Sequence, residues 1–472
     1  MTSAARDRGE LALVLHTHMP YVEGFGTWPF GEEWLWEAMA TSYLPLLDVL
    51  EREEAVVTLS LTPVLCDQLE APGVAERFLA FLRDVRAETH RQDIEGSRAG
   101  APELVAELEA SARDYAWADE RFEAIGRDLL GALAPHASWT SAATHAVLPL
   151  LATDAGVELQ VASGIASHRR RCGAWGGGFW LPECGYAEWL GPLLVDLGIE
   201  AACVDLTDVF GDGMPLPAPL RRADGPVLVP IDRQIVELVW SDRGYPAHGS
   251  YRDYHHHTIH HHRPWANDGS PYDRGAARAL VREHAREFVG QVRERLGEGG
   301  GTGRQPPLCV CALDTELLGH WWHEGVAWLE GVIEEAAAQG LALARLDDAL
   351  ARRDPVILED PLPVTTWGTP RDLSTWDGPQ VAEFAWRARA GELRTMAAGG
   401  RAVERAASEL LALQASDWAF MVSRGLAGDY PVRRAAEHAA ALDAALGAIG
   451  SSAPEPTLRN LAPDLARFAL NR

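Results

Sequence analysis

The stretch VCALDTELLGHWW (310–322) starts as a buried strand, then delivers Asp314 and Glu316 into a nest of aromatics, His320, Trp321 and Trp322. Glu183 follows the apolar FWLP (179–182) in the same way. Burying a carboxylate is costly unless it is paired or used. Two carboxyl groups at strand ends suit glycoside chemistry. One attacks the anomeric carbon, while the other protonates the leaving oxygen and later takes a proton from the acceptor; retention needs the pair about 5–5.5 Å apart. Phe179, Trp180, Tyr186 and Trp189 surround one acid, and Trp321 and Trp322 the other. The flat C–H faces of sugars stack on such rings, and the 17 tryptophans fit a sugar cleft, although most buried indoles are only core. Neighbouring residues point apart, so one of Trp321 and Trp322 is expected in the core and the other as a platform. A lone acid at a strand end is commonly a helix cap or ion-pair partner. Two in aromatic settings shift the reading to function.

HTHMP (16–20) ends another apolar run, and its His-x-His either binds a metal or hydrogen-bonds sugar hydroxyls. YHHHTIHHHR (254–263) holds six histidines, which extends the metal reading; no Cys or carboxylate stands beside them at a set ligand spacing, and an exposed His-rich loop is the plainer alternative.

The elements that must position these groups are short β-type runs ending in polar or aromatic residues. They are LALVLHTH (11–18), AVVTLSLTP (55–63), GGFWLPECGY (177–186), IEAACVDLTD (199–208), IVELVWS (235–241) and PLCVCALDTE (307–316), with a late strand running into a helix in LALARLDDAL (341–350). Helical patterns such as 274–296 separate many of them. Alternation with function at strand C-terminal ends is the logic of a parallel β/α barrel. Residues 64–135 are charged and helix-rich, an insertion between strands, and after 359–368 the pattern stays helical.

Composition narrows the chemistry. The chain has 472 residues and 42 basic against 68 acidic side chains, a net charge of −26, which opposes nucleic acid and anionic membranes and favours a neutral ligand. Every basic residue is arginine. Without lysine there is no Schiff-base catalysis, no lysine-held pyridoxal phosphate and no Walker lysine, so GEGGGTG (297–303) reads as a flexible loop. The six cysteines lack a disulfide-framework spacing, and no signal peptide or 18-residue apolar segment is evident, so a cytoplasmic protein is expected.

HTHMP, THAVLPLL (144–151), FWLPECGY, LDTELLGHWW and LQASDWAF (413–420) resemble, in order, the five signature regions of glycoside hydrolase family 57, and most nearly those of its 1,4-α-glucan branching enzymes. The resemblance runs from about residue 11 to about 440 and implies a (β/α)7 barrel, a retaining mechanism and neither metal nor cofactor. By that resemblance Glu183 is the nucleophile and Asp314 the general acid/base, and His16, His18 and His145 hold the sugar at the cleavage point. It also implies that Tyr245, in VWSDRGYPAHGSYRDY (239–254), lies over the active site, and that Trp367 and Trp376 line the acceptor side. Asp417 contacts substrate from a helical domain, and Arg263 and Trp265 fall where relatives touch substrate. Glu316 and His320 are expected to orient this region or cap the next helix. Two features depart from the family pattern: 368–375 holds no further aromatic, and the His-rich 255–262 is unfamiliar.

The expectation is a catalytic barrel over 1–355 with a helical insertion at about 64–135, and a C-terminal helical domain over 356–472 contributing to the groove. The expected activity joins cleaved α-1,4-glucan to a 6-hydroxyl, on glycogen or a related intracellular α-glucan, in a monomer without nucleic-acid or membrane partners. An α-amylase-like hydrolase and a 4-α-glucanotransferase share this chemistry. A metal-dependent polysaccharide deacetylase built on His16 and His18, and a non-catalytic glycan-binding protein, are the other classes weighed.

Overall fold

The computed structural model describes residues 9–27, 29–52, 55–211, 218–298, 305–399, 404–449 and 460–471. Ten strands form one sheet: β1 (Glu10–Thr17), β2 (Thr58–Leu61), β3 (Ala137–Ser141), β4 (Gly178–Trp180), β5 (Ala201–Val204), β6 (Leu220–Arg221), β7 (Val227–Pro230), β8 (Leu308–Asp314), β9 (Ala342–Leu343) and β10 (Val356–Ile357). Their order is β10-β6-β7-β5-β4-β3-β2-β1-β8, with β9 also pairing with β1. All pairings are parallel except β6 with β7. The seven strands from β7 round to β8 make the barrel sheet, and the Asp232 N–H, just past β7, donates to the Val310 carbonyl of β8 at 2.8 Å, tying its two ends together.

Strands β1, β2, β5 and β8 are buried along nearly their whole length, as helix-covered parallel strands require, whereas β10 at the sheet's edge is exposed. In β1 every residue of ELALVLHT is buried; Glu10 at its start is held by Arg352 and Arg353, and after the apolar run the strand turns polar at His16 and Thr17. Helices between Pro63 and Leu133 separate β2 from β3, in the place expected of the insertion. From Ala382 onward the described elements are helical: Ala382–Ala398, Glu404–Leu413, Ser416–Ser423, Tyr430–Gly447 and a short turn at Arg467–Asn471. The sheet pairing itself extends to Ile357, two residues past the expected end of the barrel at 355.

One expected strand is a helix. Residues 235–241 lie mostly in the helix Arg233–Val239, because the Asp232 carboxyl caps the Ile235 N–H at 3.3 Å and Ile235, Val236 and Val239 share one buried face. The true strand is VLVP (227–230), just upstream. Of GEGGGTG, residues 299–303 lie outside the described residues. All six cysteines are free, and no helix among the described residues is long and apolar enough to cross a membrane.

Candidate active site

The polar groups gather at the C-terminal ends of the barrel strands, where such folds place chemistry. β1 delivers His16 and His18, the turn after β3 His145, the turn after β4 Glu183, and β8 Asp314 and Glu316. Register sets the floor: His16 lies opposite Ser60 of β2 on one side and Asp314 of β8 on the other.

Glu183 adopts φ 58°, ψ 21°, a left-handed conformation that non-glycine residues rarely hold. The turn is closed from within and from without. Cys184 N–H reaches the Leu181 carbonyl and Gly185 N–H the Pro182 carbonyl (2.8 and 2.9 Å). Tyr186 and Thr365 exchange both main-chain hydrogen bonds (2.9 and 3.0 Å), and the Trp367 N–H donates to the Glu183 carbonyl at 3.0 Å. That clamp sets the Trp367 indole N–H on Glu183 Oε2 at 3.1 Å, while the Ser416 hydroxyl donates to Oε1 at 2.9 Å.

Behind Glu183 runs a directed hydrogen-bond relay. Ser416 commits its proton to Glu183, so its oxygen must accept from His145 Nδ1–H at 2.9 Å. His145 Nε2 is then bare and accepts the Nε2–H of His16 at 3.0 Å, leaving His16 Nδ1 to face the Ser60 hydroxyl at 3.4 Å. The assignment requires both imidazoles to be neutral. Burial, then the neighbouring His18 charge, holds the pKa of each well below the ordinary histidine value. His16 also stacks on Trp180, with centroids 4.5 Å apart. His145, like Glu183, is left-handed (φ 59°), and its carbonyl accepts the Ser416 N–H at 3.1 Å, so the C-terminal helices dock onto this turn through main chain.

His18 behaves oppositely. Burial opposes its charge, but the Asp417 carboxylate, 2.9 Å from Nε2, and more distant Glu316 and Glu183 outweigh it and raise its pKa. Glu316 orients this region: Oε1 accepts the His18 backbone N–H (3.1 Å) and the Tyr43 hydroxyl (2.6 Å). Burial pushes Glu316 up to about 7. The Asp314 carboxyl has no hydrogen-bond partner among the described residues; burial, then the charges of Glu316, Glu183 and Asp417, drives its pKa well above the carboxylate range. Burial raises the Glu183 pKa too, and the indole and hydroxyl donors offset only part of that rise. The two acids therefore differ in what surrounds them: two donors favour the carboxylate of Glu183, while neighbouring carboxylates favour the protonated form of Asp314.

Of the sequence-derived site residues, Glu183, Asp314, His16, His18, His145, Trp367 and Asp417 converge. The others do not join them. Tyr245 is only 7% exposed and stacks on His284 (4.4 Å) beside Trp328, in the core instead of over the cleft. Trp376 is buried with Val147, Val381 and Ala419, so it packs the wall from behind. Trp265 stacks on His256 at 3.9 Å and Arg263 lies over Tyr254 at 4.4 Å, both within the segment that carries the histidines. None of these four hydrogen-bonds or makes a ring contact with the convergent groups among the described residues. Trp322 is 1% exposed and Trp321 40%, so the first is core and the second faces outward, as neighbours that point apart must. Trp240 extends the aromatic wall, edge-on to Trp321 at 5.6 Å and 6.4 Å from Trp367. Sequence reasoning missed Ser416 and Ser60; LQASDWAF marked the segment, but Asp417 drew attention from its neighbour. Each ring nitrogen of His16 and His18 has a protein partner, and no group of three or more His, Cys, Asp or Glu among the described residues is arranged to hold a metal.

Comparison with known proteins places the chain in a family. The family model described as glycosyl hydrolase family 57 matches residues 139–356, and that described as 1,4-alpha-glucan branching enzyme, C-terminal, matches 382–469. A 1,4-alpha-glucan branching enzyme of Thermococcus kodakarensis is 31% identical, over 91% of this chain and 72% of its own. A probable 1,4-alpha-glucan branching enzyme of Mycobacterium tuberculosis is 33% identical, over 98% and 96%. The crystal structure of the GH57-type branching enzyme from Pyrococcus horikoshii superposes with a TM-score of 0.84 at 32% identity, covering 91% of this chain and 88% of that one. An alpha-amylase from Thermotoga maritima shares the fold (TM-score 0.79, 23% identity, covering 95% of each chain). The chain belongs to glycoside hydrolase family 57, among its 1,4-α-glucan branching enzymes.

Proposed function

We propose that this protein cleaves α-1,4-glucan with retention and transfers the released segment to a 6-hydroxyl, making α-1,6 branches. Glu183 attacks C1 while Asp314 protonates the departing glycosidic oxygen, leaving a β-linked glycosyl-enzyme. Asp314, now a carboxylate, takes the proton from the acceptor's 6-hydroxyl as that oxygen displaces Glu183, and both carboxyl groups return to their starting states. The observation that carries the assignment is the asymmetry between the acids. Two donors, Trp367 and Ser416, aim at Glu183, while Asp314 lies unpartnered among carboxylates. His18 and Asp417 hold hydroxyls of the sugar being transferred, and the Trp180, Trp367 and Trp240 wall keeps water from the intermediate. Glycogen or a related intracellular α-glucan is the substrate, in the cytoplasm. The barrel up to about residue 355 carries both catalytic acids, and the helical domain from 356 completes the groove.

The test is to incubate the protein with amylose, follow iodine staining and reducing ends together, and then digest the product with an α-1,6-specific debranching enzyme. Falling stain with few new reducing ends, and short chains released on debranching, are expected. Rising reducing ends with nothing released would make the protein a hydrolase.

A further inference from the structure

Apart from the catalytic cluster, the structure holds a cavity of about 410 Å³ between the helical insertion, the helix around residues 44–50, the segment after β8, the loop 252–272 and the start of the helix Arg274–Glu298. That volume falls within the roughly 300–1,000 Å³ typical of small-molecule sites. Its lining is unlike a core. Five arginines and five acidic residues face it, so it carries no net charge. Two half-exposed indoles border it, Trp117 (36% exposed) from the helix Val105–Ala124 and Trp321 (40%) from the segment after β8. Two lining residues carry buried polar atoms without a hydrogen-bond partner among the described residues, Arg252 Nε and His320 Nδ1, whereas the Glu324 carboxyl is met by the Tyr272 hydroxyl and the Arg252 N–H. Burial leaves such atoms costly unless a ligand or water meets them.

Neutral charge balance, aromatic plates and unmatched polar atoms together describe a site for a polyhydroxylated, uncharged molecule. An anion would find the arginines already offset, and a cation would find the reverse. Position narrows the choice. Trp321 touches Trp240 edge-on, Trp240 neighbours Trp367, and Trp367 hydrogen-bonds Glu183, so one continuous aromatic wall leads from the catalytic acid to the mouth of the cavity.

We propose that this cavity is a second α-glucan-binding site, holding a short stretch of the polymer away from the reacting bond; the inference rests on the α-glucan reading of the active site. A chain anchored here raises the effective concentration of glucan at the catalytic wall without touching the reacting atoms. The site therefore favours polymer over short oligosaccharides that cannot span both places.

The test uses Trp117→Ala and Arg278→Ala in the full chain, each checked by thermal melting. Arg278 is exposed and makes no hydrogen bond or ion pair among the described residues, so its loss leaves the fold intact even where the indole variant fails. Amylose affinity is measured by retardation in polysaccharide-containing native gels, and turnover is measured separately on a malto-oligosaccharide too short to bridge the two places. Amylose binding is expected to weaken by about tenfold in Trp117→Ala, some 1.4 kcal/mol, and less in Arg278→Ala, with short-substrate turnover within about twofold of the parent. Unchanged amylose affinity in both variants overturns the site. An equal loss of short-substrate turnover also overturns it, since the cavity would then belong to the catalytic cleft. Binding that depends on Trp117 without any branch formation would sink the branching reading and leave the site standing. Branches formed with Trp117-independent affinity would sink the site alone.

Discussion

Ser416→Ala isolates the relay behind Glu183. The change removes one hydroxyl from a buried position at the start of the helix Ser416–Ser423, where alanine is well tolerated by the backbone. It deletes the 2.9 Å hydrogen bond to Glu183 Oε1 and strands the His145 Nδ1–H that had donated to the same oxygen. A hydrogen bond to a charged group contributes about 1.5–3 kcal/mol. If that stabilisation supports the reactive ionised form of Glu183, its loss lowers kcat by about 10- to 150-fold. The pH dependence supplies a sign. Glu183 must be ionised to attack, and the lost donor favoured the ionised form, so its pKa rises further and the acid limb of the kcat/KM profile moves to higher pH. Activity is thus lost first on the acidic side, while amylose affinity changes little. Rates of initial iodine-stain loss across acidic to mildly alkaline buffers measure both effects. A variant with parental kcat and an unmoved acid limb would refute the relay.

Glu183→Gln is expected to abolish turnover while melting close to the parent; full activity would remove Glu183 as nucleophile. Glu316→Gln retains an acceptor for Tyr43 and the His18 N–H but removes a charge that helps keep Asp314 protonated, so the basic limb of the pH–rate profile should move to lower pH. The same variant should stabilise the protein in alkaline solution. Burial raises the Glu316 pKa from 4.5 to about 7, so the native state resists ionisation as pH climbs through that interval, at a cost of up to ~3 kcal/mol that glutamine does not incur. Melting below and above that interval separates the two proteins: they should match on the acidic side, and the parent should melt lower on the alkaline side. Trp322→Ala should cost about 3–5 kcal/mol in chemical denaturation because that indole is fully packed, whereas Trp321→Ala should leave stability nearly unchanged and weaken glucan binding.

What the sequence disclosed was local. An apolar run that turns acidic or histidine-rich is readable from a dozen residues, which is why the ends of β1, β4 and β8 stood out. β3 (ASWTS) and β7 (VLVP) escaped because each is short and has little alternation to set it apart from a loop, and 235–241 misled because a buried helical face and a strand share the same valines and isoleucines. The resemblance pointed to Tyr245 and Trp376 but could not orient their rings, since that depends on what packs against them: the helix around His284 for one and Val147, Val381 and Ala419 for the other. Ser416 was invisible for the same reason. Its partner Glu183 is 233 residues away, and nothing in QASDWAF says which of its polar side chains meets that carboxylate.

The left-handed turn at Glu183 has a consequence for how the protein is made. Its clamp comes from Thr365 and Trp367, and its second donor from Ser416, all of which follow the last strand of the sheet in chain order. A nascent chain that has finished β8 already carries both acids, yet its nucleophile lacks both donors and its strained backbone lacks the bonds that hold it. A chain synthesised only as far as β8 therefore holds Glu183 without either donor, and the pair of acids is completed only when the segment from Thr365 to Ser416 has folded onto the barrel.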